Sequence, residues 1–169
     1  MIDYNLIQPR LLVGAFLESS REVELLQKRE GVTAVMNLQT DEDLRMDRFL
    51  AEPLENLYAG SGVKFCRVPV RDFDESHLRK KLPECVAALN QLLEEGHTVY
   101  LHYTAGANRS PTVAIAYLHW CLGWELDSAV KHVEACRYCS PNVDAIRQAN
   151  WKLPASQPDA DSSPATGPR

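Results

Sequence analysis

The chain has 169 residues, 45% hydrophobic and 24% charged, which is enough apolar surface for one domain core and argues against wholesale disorder. Its 18 Lys and Arg against 23 Asp and Glu leave a net charge of −5, which excludes a generally basic nucleic-acid binder and still allows a local anion pocket. There is no apolar run long enough to span a membrane, no signal-peptide pattern at the start, and an odd number of cysteines (Cys66, Cys85, Cys121, Cys136, Cys139) that read as reduced thiols. The expectation is an intracellular, cytoplasmic monomer without membrane or nucleic-acid partners, with a plastid location left open.

In chain order, residues 4–7 and 11–13 read as a hairpin whose turn, Gln8-Pro9-Arg10, has one φ set by proline. Ser19 or Ser20 is placed to cap a helix reaching Lys28, and Gly31 closes it. Residues 32–38 and 63–68 have the length and apolarity of strands, and residues 41–60 read as helical pieces broken at Pro53. Pro83 suits the first turn of a helix that ends near Glu95. Residues 98–102 form a buried strand that feeds a short loop and a helix from about Ser110 to Leu122, with Pro111 in its first turn, where no N–H is needed. Residues 113–122 are apolar nearly all round, so this helix should be central. Further helices are predicted from Asp127 or Ser128 to Arg137 and from Asp144 to Lys152. Strands alternating with helices indicate an α/β sheet covered on both faces. Residues 1–152 read as this one domain and 153–169, rich in Pro and Ser, as a disordered tail.

The strongest local signal is the strand, loop and helix start around Arg109. Gly106, with the small residues Ala105 and Ala107, lets the backbone wrap tightly. Successive N–H groups of Thr104, Ala105, Gly106, Ala107 and Asn108 can then face inward as an anion nest at the positive end of a helix. Arg109 adds a planar fork matched to two phosphate oxygens. Such a site takes a tetrahedral dianion. The plainer alternative is an ordinary strand-to-helix turn with a surface Arg.

The run His102-Tyr103-Thr104-Ala105-Gly106-Ala107-Asn108-Arg109-Ser110 resembles the His-Cys-x5-Arg-Ser/Thr signature of the protein tyrosine phosphatase superfamily, and more narrowly the dual-specificity phosphatases. Tyr4-Asn5-Leu6-Ile7, Leu12-Val13-Gly14, Asn37-Leu38-Gln39, Arg71-Asp72-Phe73-Asp74, Leu82-Pro83 and Asp144-Ala145-Ile146-Arg147 are similar to segments of the plant glucan phosphatases that dephosphorylate starch. The resemblance runs in register from residue 1 to about 152. It implies an α/β dual-specificity phosphatase-like domain with a central, mostly parallel sheet. It also implies hydrolysis of phosphomonoesters on phosphorylated glucan, phosphoprotein or another phosphoester, with no metal and no organic cofactor.

The departure from the family lies at its nucleophile. The Cys that should follow His102 is Tyr103, and no other cysteine falls in the loop. A phenol ionises only near pH 10 and its ring takes up the volume meant for phosphate. The family's remaining roles fall on Asp72 as general acid, Arg109 as phosphate fork, Ser110 as the hydroxyl that eases thiolate departure, and His102 as the residue holding the loop. Phe73 matches an aromatic lining the glucan channel. By spacing either Asp72 or Asp74 could be the acid, and the resemblance favours Asp72; plainer alternatives stand beside these, a helix cap for Asp72, Asp74 or Ser110, a core position for His102, and a core or hinge position for Phe73. Asn108 stands where the glucan group has Gly, and Ser140 where starch enzymes can carry an aromatic; both count against tight glucan binding. Trp120 reads as core, Arg79-Lys80-Lys81 as a solvated helix face, and Cys136-Arg137-Tyr138-Cys139 as ordinary thiols with no second pair for zinc. Three readings stay open: a degenerate phosphatase domain, an active parent carrying a Cys→Tyr change at position 103, and a structural interaction domain with a closed pocket.

Overall fold

A computed structural model describes residues 1–46 and 53–152; the tail read at 153–169 lies outside the described residues. The elements are β1 (Tyr4–Gln8), β2 (Leu11–Gly14), α1 (Ser20–Glu30), β3 (Ala34–Asn37), α2 (Asp41–Met46), α3 (Leu54–Leu57), β4 (Lys64–Arg67), α4 (Glu75–Glu94), β5 (Val99–His102), α5 (Arg109–Trp120), α6 (Leu126–Cys136) and α7 (Val143–Gln148). They form a five-stranded sheet in the order β1-β2-β5-β3-β4. Among the described residues only the β1–β2 hairpin is antiparallel; the other three pairings are parallel.

Because side chains alternate across a strand, each central strand feeds two cores. Leu12, Val35 and Tyr100 pack on one face with Val23 and Leu26 of α1 and Leu57 of α3. Leu11, Val13, Ala34, Met36, Val99 and Leu101 point the other way, into the larger core built on α4, α5, α6 and α7. Helix α5 is buried from Arg109 to Leu118, the central helix its composition implied. The register sets Gly14, Asn37 and His102 side by side at the carboxyl ends of β2, β3 and β5. In open α/β sheets that edge is where ligands bind.

Two predicted helix boundaries are corrected. Pro83 does not start α4 but lies inside it, and the helix begins at Glu75 with the Asp74 carboxylate accepting the His77 N–H at 2.8 Å. Pro83 cannot donate to the Arg79 carbonyl, a loss of about 3 kcal/mol in a helix interior. The apolar stripe Leu78, Leu82, Cys85, Val86, Leu89, Leu92 and Leu93 is buried on both sides of that position. At roughly 1.5–3 kcal/mol for each large side chain, its burial outweighs the missing bond. The last helix stops at Gln148 rather than Lys152, and Trp151 instead stacks on Trp120 with ring centroids 4.9 Å apart. If burial carries α4 through Pro83, Leu82→Ala should cost about 2–5 kcal/mol in urea unfolding, an effect far above that of a surface change.

Candidate active site

The site begins where β5 delivers His102 and Tyr103 into the loop 103–108. Gly106 has φ +66, and a Cβ there would sit 2.4 Å from the Gly14 carbonyl oxygen, so the turn requires glycine both for its backbone angle and for space. The loop's carbonyls are held from outside. Thr104 accepts from the Phe16 N–H at 3.1 Å and Ala107 from the Ser140 N–H at 2.7 Å. The Gly106 carbonyl accepts from Arg137 Nε at 2.7 Å.

The centre of the cup is occupied by Tyr103 itself. Its phenol oxygen accepts the N–H groups of Ala107 at 3.2 Å and Asn108 at 3.0 Å. The side chain is buried, and the Arg109 guanidinium carbon lies 4.1 Å from the centroid of its ring. A desolvated cation over an aromatic face contributes about 2 kcal/mol.

Arg109 is also engaged by carboxylates. Its Nη1 donates to Asp43 Oδ2 at 2.8 Å and to the Val70 carbonyl at 2.6 Å. Nη2 donates to Asp43 Oδ1 at 3.3 Å and faces Asp72 Oδ2 at 3.2 Å. Among the described residues only its Nε–H has no partner. Burial pushes the Asp43 carboxyl up, but hydrogen bonds from Arg109 and Thr40 and the charge of Arg109 outweigh it and hold the group below the usual carboxylate range.

Of the two acids in the loop before α4, Asp74 is the helix cap and Asp72 is the one turned toward Arg109. Phe73 between them adopts φ +53, and its ring stands fully in solvent while lining the cleft, so it is not core packing. The cleft has a volume of about 510 Å³ and is lined by Asp72, Phe73, Leu78, Tyr103, Asn108 and Asn142, among others. Asn108 Nδ2 donates to the Ser140 carbonyl at 2.8 Å, so the two positions that depart from the glucan pattern bridge each other on its wall.

Ser110 is buried, its Oγ has no partner among the described residues, and the N-cap position of α5 belongs to Asn108, so a capping role for Ser110 does not apply. His102 is fully buried. Its Nδ1 lies 3.1 Å from the Tyr103 carbonyl and must carry the proton, while Nε2 has no partner among the described residues. Burial pushes this imidazole down to about 4, with the backbone bond opposing.

Two further residues went unrecognised in the sequence. Asp43 lies in the first turn of α2 and closes a capping box with Thr40: its Oδ2 accepts from the Thr40 N–H at 2.7 Å and Oγ1 at 2.9 Å, and its own N–H donates to Thr40 Oγ1 at 3.2 Å. The spacing Thr40-x-x-Asp43 signals that cap, but nothing local signals its reach to Arg109. Arg137 sits between Cys136 and Cys139, in a segment that read only as ordinary thiols, with no role given to the arginine. Cys136 and Cys139 themselves are free and half-buried.

This geometry is accompanied by a match to the model of the dual specificity phosphatase catalytic domain over residues 15–151. The chain belongs to the dual-specificity phosphatase family. It is 33% identical over 156 residues to phosphoglucan phosphatase LSF1 of Arabidopsis thaliana, covering 92% of this chain and 26% of that one. It is also 33% identical over 162 residues to laforin of Mus musculus, covering 88% and 48%. The chain therefore spans less than half the length of these relatives. The crystal structure of PTPMT1 shares its fold with a TM-score of 0.69 at 23% identity, over 86% of this chain and 90% of that one. In this dual-specificity phosphatase domain the loop after β5 carries the Tyr103 phenol on two backbone N–H groups, with the Arg109 guanidinium over its ring.

The buried His102 of this phosphatase domain gives a pH signature. Its folded pKa of about 4 lies below the unfolded value of about 6.5. As pH falls between those values, the unfolded chain takes up a proton that the folded one refuses. Stability should therefore drop by about 1.4 kcal/mol per pH unit from this group, with no contribution above that window. Urea unfolding between pH 4 and 8 should show a shallower slope for His102→Asn; equal slopes would overturn the assignment.

Proposed function

We propose that this domain is a phosphomonoesterase fold without turnover, in which Tyr103 occupies the phosphate cup as a permanent internal ligand. The observation that carries this reading is the phenol oxygen on the N–H groups of Ala107 and Asn108, with the Arg109 guanidinium over the ring. The family reaction needs a thiolate at the base of the cup to attack phosphorus, and no sulfur stands there. A dianion entering the cup would have to displace the phenol oxygen from both amides and Asp72 from Arg109.

The rest of the catalytic frame supports descent from a working enzyme. Asp72 is near enough to the cup to protonate a leaving group, and Ser110 lies beside Arg109 with a free hydroxyl. The ligand class of that frame is a phosphomonoester on glucan or protein. Relatives named as phosphoglucan phosphatases favour glucan, as does the exposed Phe73 ring, a flat apolar face on which a sugar can stack. The Asn108–Ser140 bridge replaces two features of the glucan pattern and favours protein. Binding to soluble amylopectin against phosphopeptides, measured on the Tyr103→Cys chain, decides between them.

Hydrolysis of an aryl phosphate tests the central reading. We expect no turnover by the intact chain, a gain of several orders of magnitude in Tyr103→Cys, and a loss of about 10²–10⁴-fold of that gain when Asp72→Asn is added. Tungstate should raise the melting temperature of Tyr103→Cys and leave the intact chain unmoved, since only a ligand that binds the folded state stabilises it. Turnover by the intact chain, or an inert Tyr103→Cys that also ignores tungstate, would overturn the proposal.

A further inference from the structure

Arg137 follows the last residue of α6 and is 5% exposed, yet no part of the family mechanism described above uses it. Each of its N–H groups has an acceptor. Nε donates to the Gly106 carbonyl at 2.7 Å, and Nη2 to the Ala105 carbonyl at 3.4 Å and to Asp3 Oδ2 at 2.8 Å. Nη1 donates to Asp3 Oδ1 and to Asn5 Oδ1, both at 3.0 Å. One guanidinium thus ties the crest of the cup to the strand β1 and the residue just before it.

The consequence follows from the planarity of the peptide group. In a trans peptide the C=O and the next N–H point in opposite directions, so a carbonyl held outward turns the following N–H inward. Arg137 holds the Gly106 carbonyl, and the N–H on the other side of that peptide belongs to Ala107, one of the two groups bound to the phenol oxygen. The second group, the Asn108 N–H, is set separately: its peptide carbonyl, that of Ala107, accepts from the Ser140 N–H. The two halves of the cup therefore have different external supports.

We propose that Arg137, anchored by Asp3, is a positioning residue that aims the Gly106 and Ala107 N–H groups into the cup whatever occupies it. The inference rests on the reading of this loop as an oxyanion cup. Asp3 is the only carboxylate bonded to the Arg137 guanidinium among the described residues, and that bond holds its carboxyl below the ordinary value. Its side chain is 65% exposed, so Asp3→Asn removes the anchoring charge without opening the core.

Amide NMR of the intact chain separates positioning from bulk support. Arg137→Lys keeps the charge but cannot reach both carbonyls and Asp3 together. It should shift the Gly106 and Ala107 amides and speed their hydrogen exchange, while the Asn108 amide, held through Ser140, stays in place. Asp3→Asn should move the same two amides by less, and it serves as the test if Arg137→Lys does not fold. In the Tyr103→Cys chain, either change should weaken tungstate binding, by about tenfold for Arg137→Lys, the loss expected for one charge-assisted hydrogen bond. Equal movement of all three amides, or none, with unchanged tungstate affinity would overturn the proposal. The NMR result is read on the cup filled by Tyr103, so it stands or falls apart from any failure of Tyr103→Cys to regain activity.

Discussion

Two backbone N–H groups converging on a single oxygen organise this molecule. A loop that turns Ala107 and Asn108 inward beneath a helix start creates a concentration of positive dipole that cannot be left unanswered in a buried place. In a phosphatase that answer comes from the oxygens of the substrate. Here the chain supplies it, from a phenol five positions before the second of those amides. The ring that brings the oxygen also fills the space under Arg109, so the cup is satisfied in both hydrogen bonding and packing.

The same logic governs the charge. A guanidinium as buried as that of Arg109 must be paired, because an uncompensated charge at that depth would cost several kcal/mol. Asp43 takes both terminal nitrogens and Asp72 takes the second again. The cup is therefore neutralised by carboxylates at the place where a phosphate would bring its own negative charge. The phenol and the carboxylates are thus two aspects of one arrangement, since a small residue in place of Tyr103 would leave the Ala107 and Asn108 amides without their acceptor.

The sheet explains why these parts meet. β5 lies between β2 and β3, and its end is level with Gly14 and Asn37. The loop after β5 touches the end of β2 closely enough that Gly106 tolerates no side chain. Supports then arrive from distant segments: Asp43 from α2, Asp72 from the loop before α4, Arg137 from the end of α6. None is near the loop in sequence, and each meets it only once the strands are in register.

What the sequence determined by itself was whatever depends on neighbours along the chain. The alternation of strands and helices, the apolar α5, the glycine at the turn and the succession of strand, loop and Arg109 follow from periodicity and local backbone preference. What only the tertiary structure decided was whatever depends on long-range burial or pairing. Pro83 reads locally as a helix start, and only the shared core keeps the helix running through it. Asp72 and Asp74 were equivalent by spacing, and they part because one caps α4 while the other faces Arg109. Asp43 and Arg137 were unmarked, because a charged side chain announces its partner only when folding buries it and removes water as the alternative. The residue at position 103 was legible as a phenol, but that its oxygen would settle on the cup's own amides was a decision of packing.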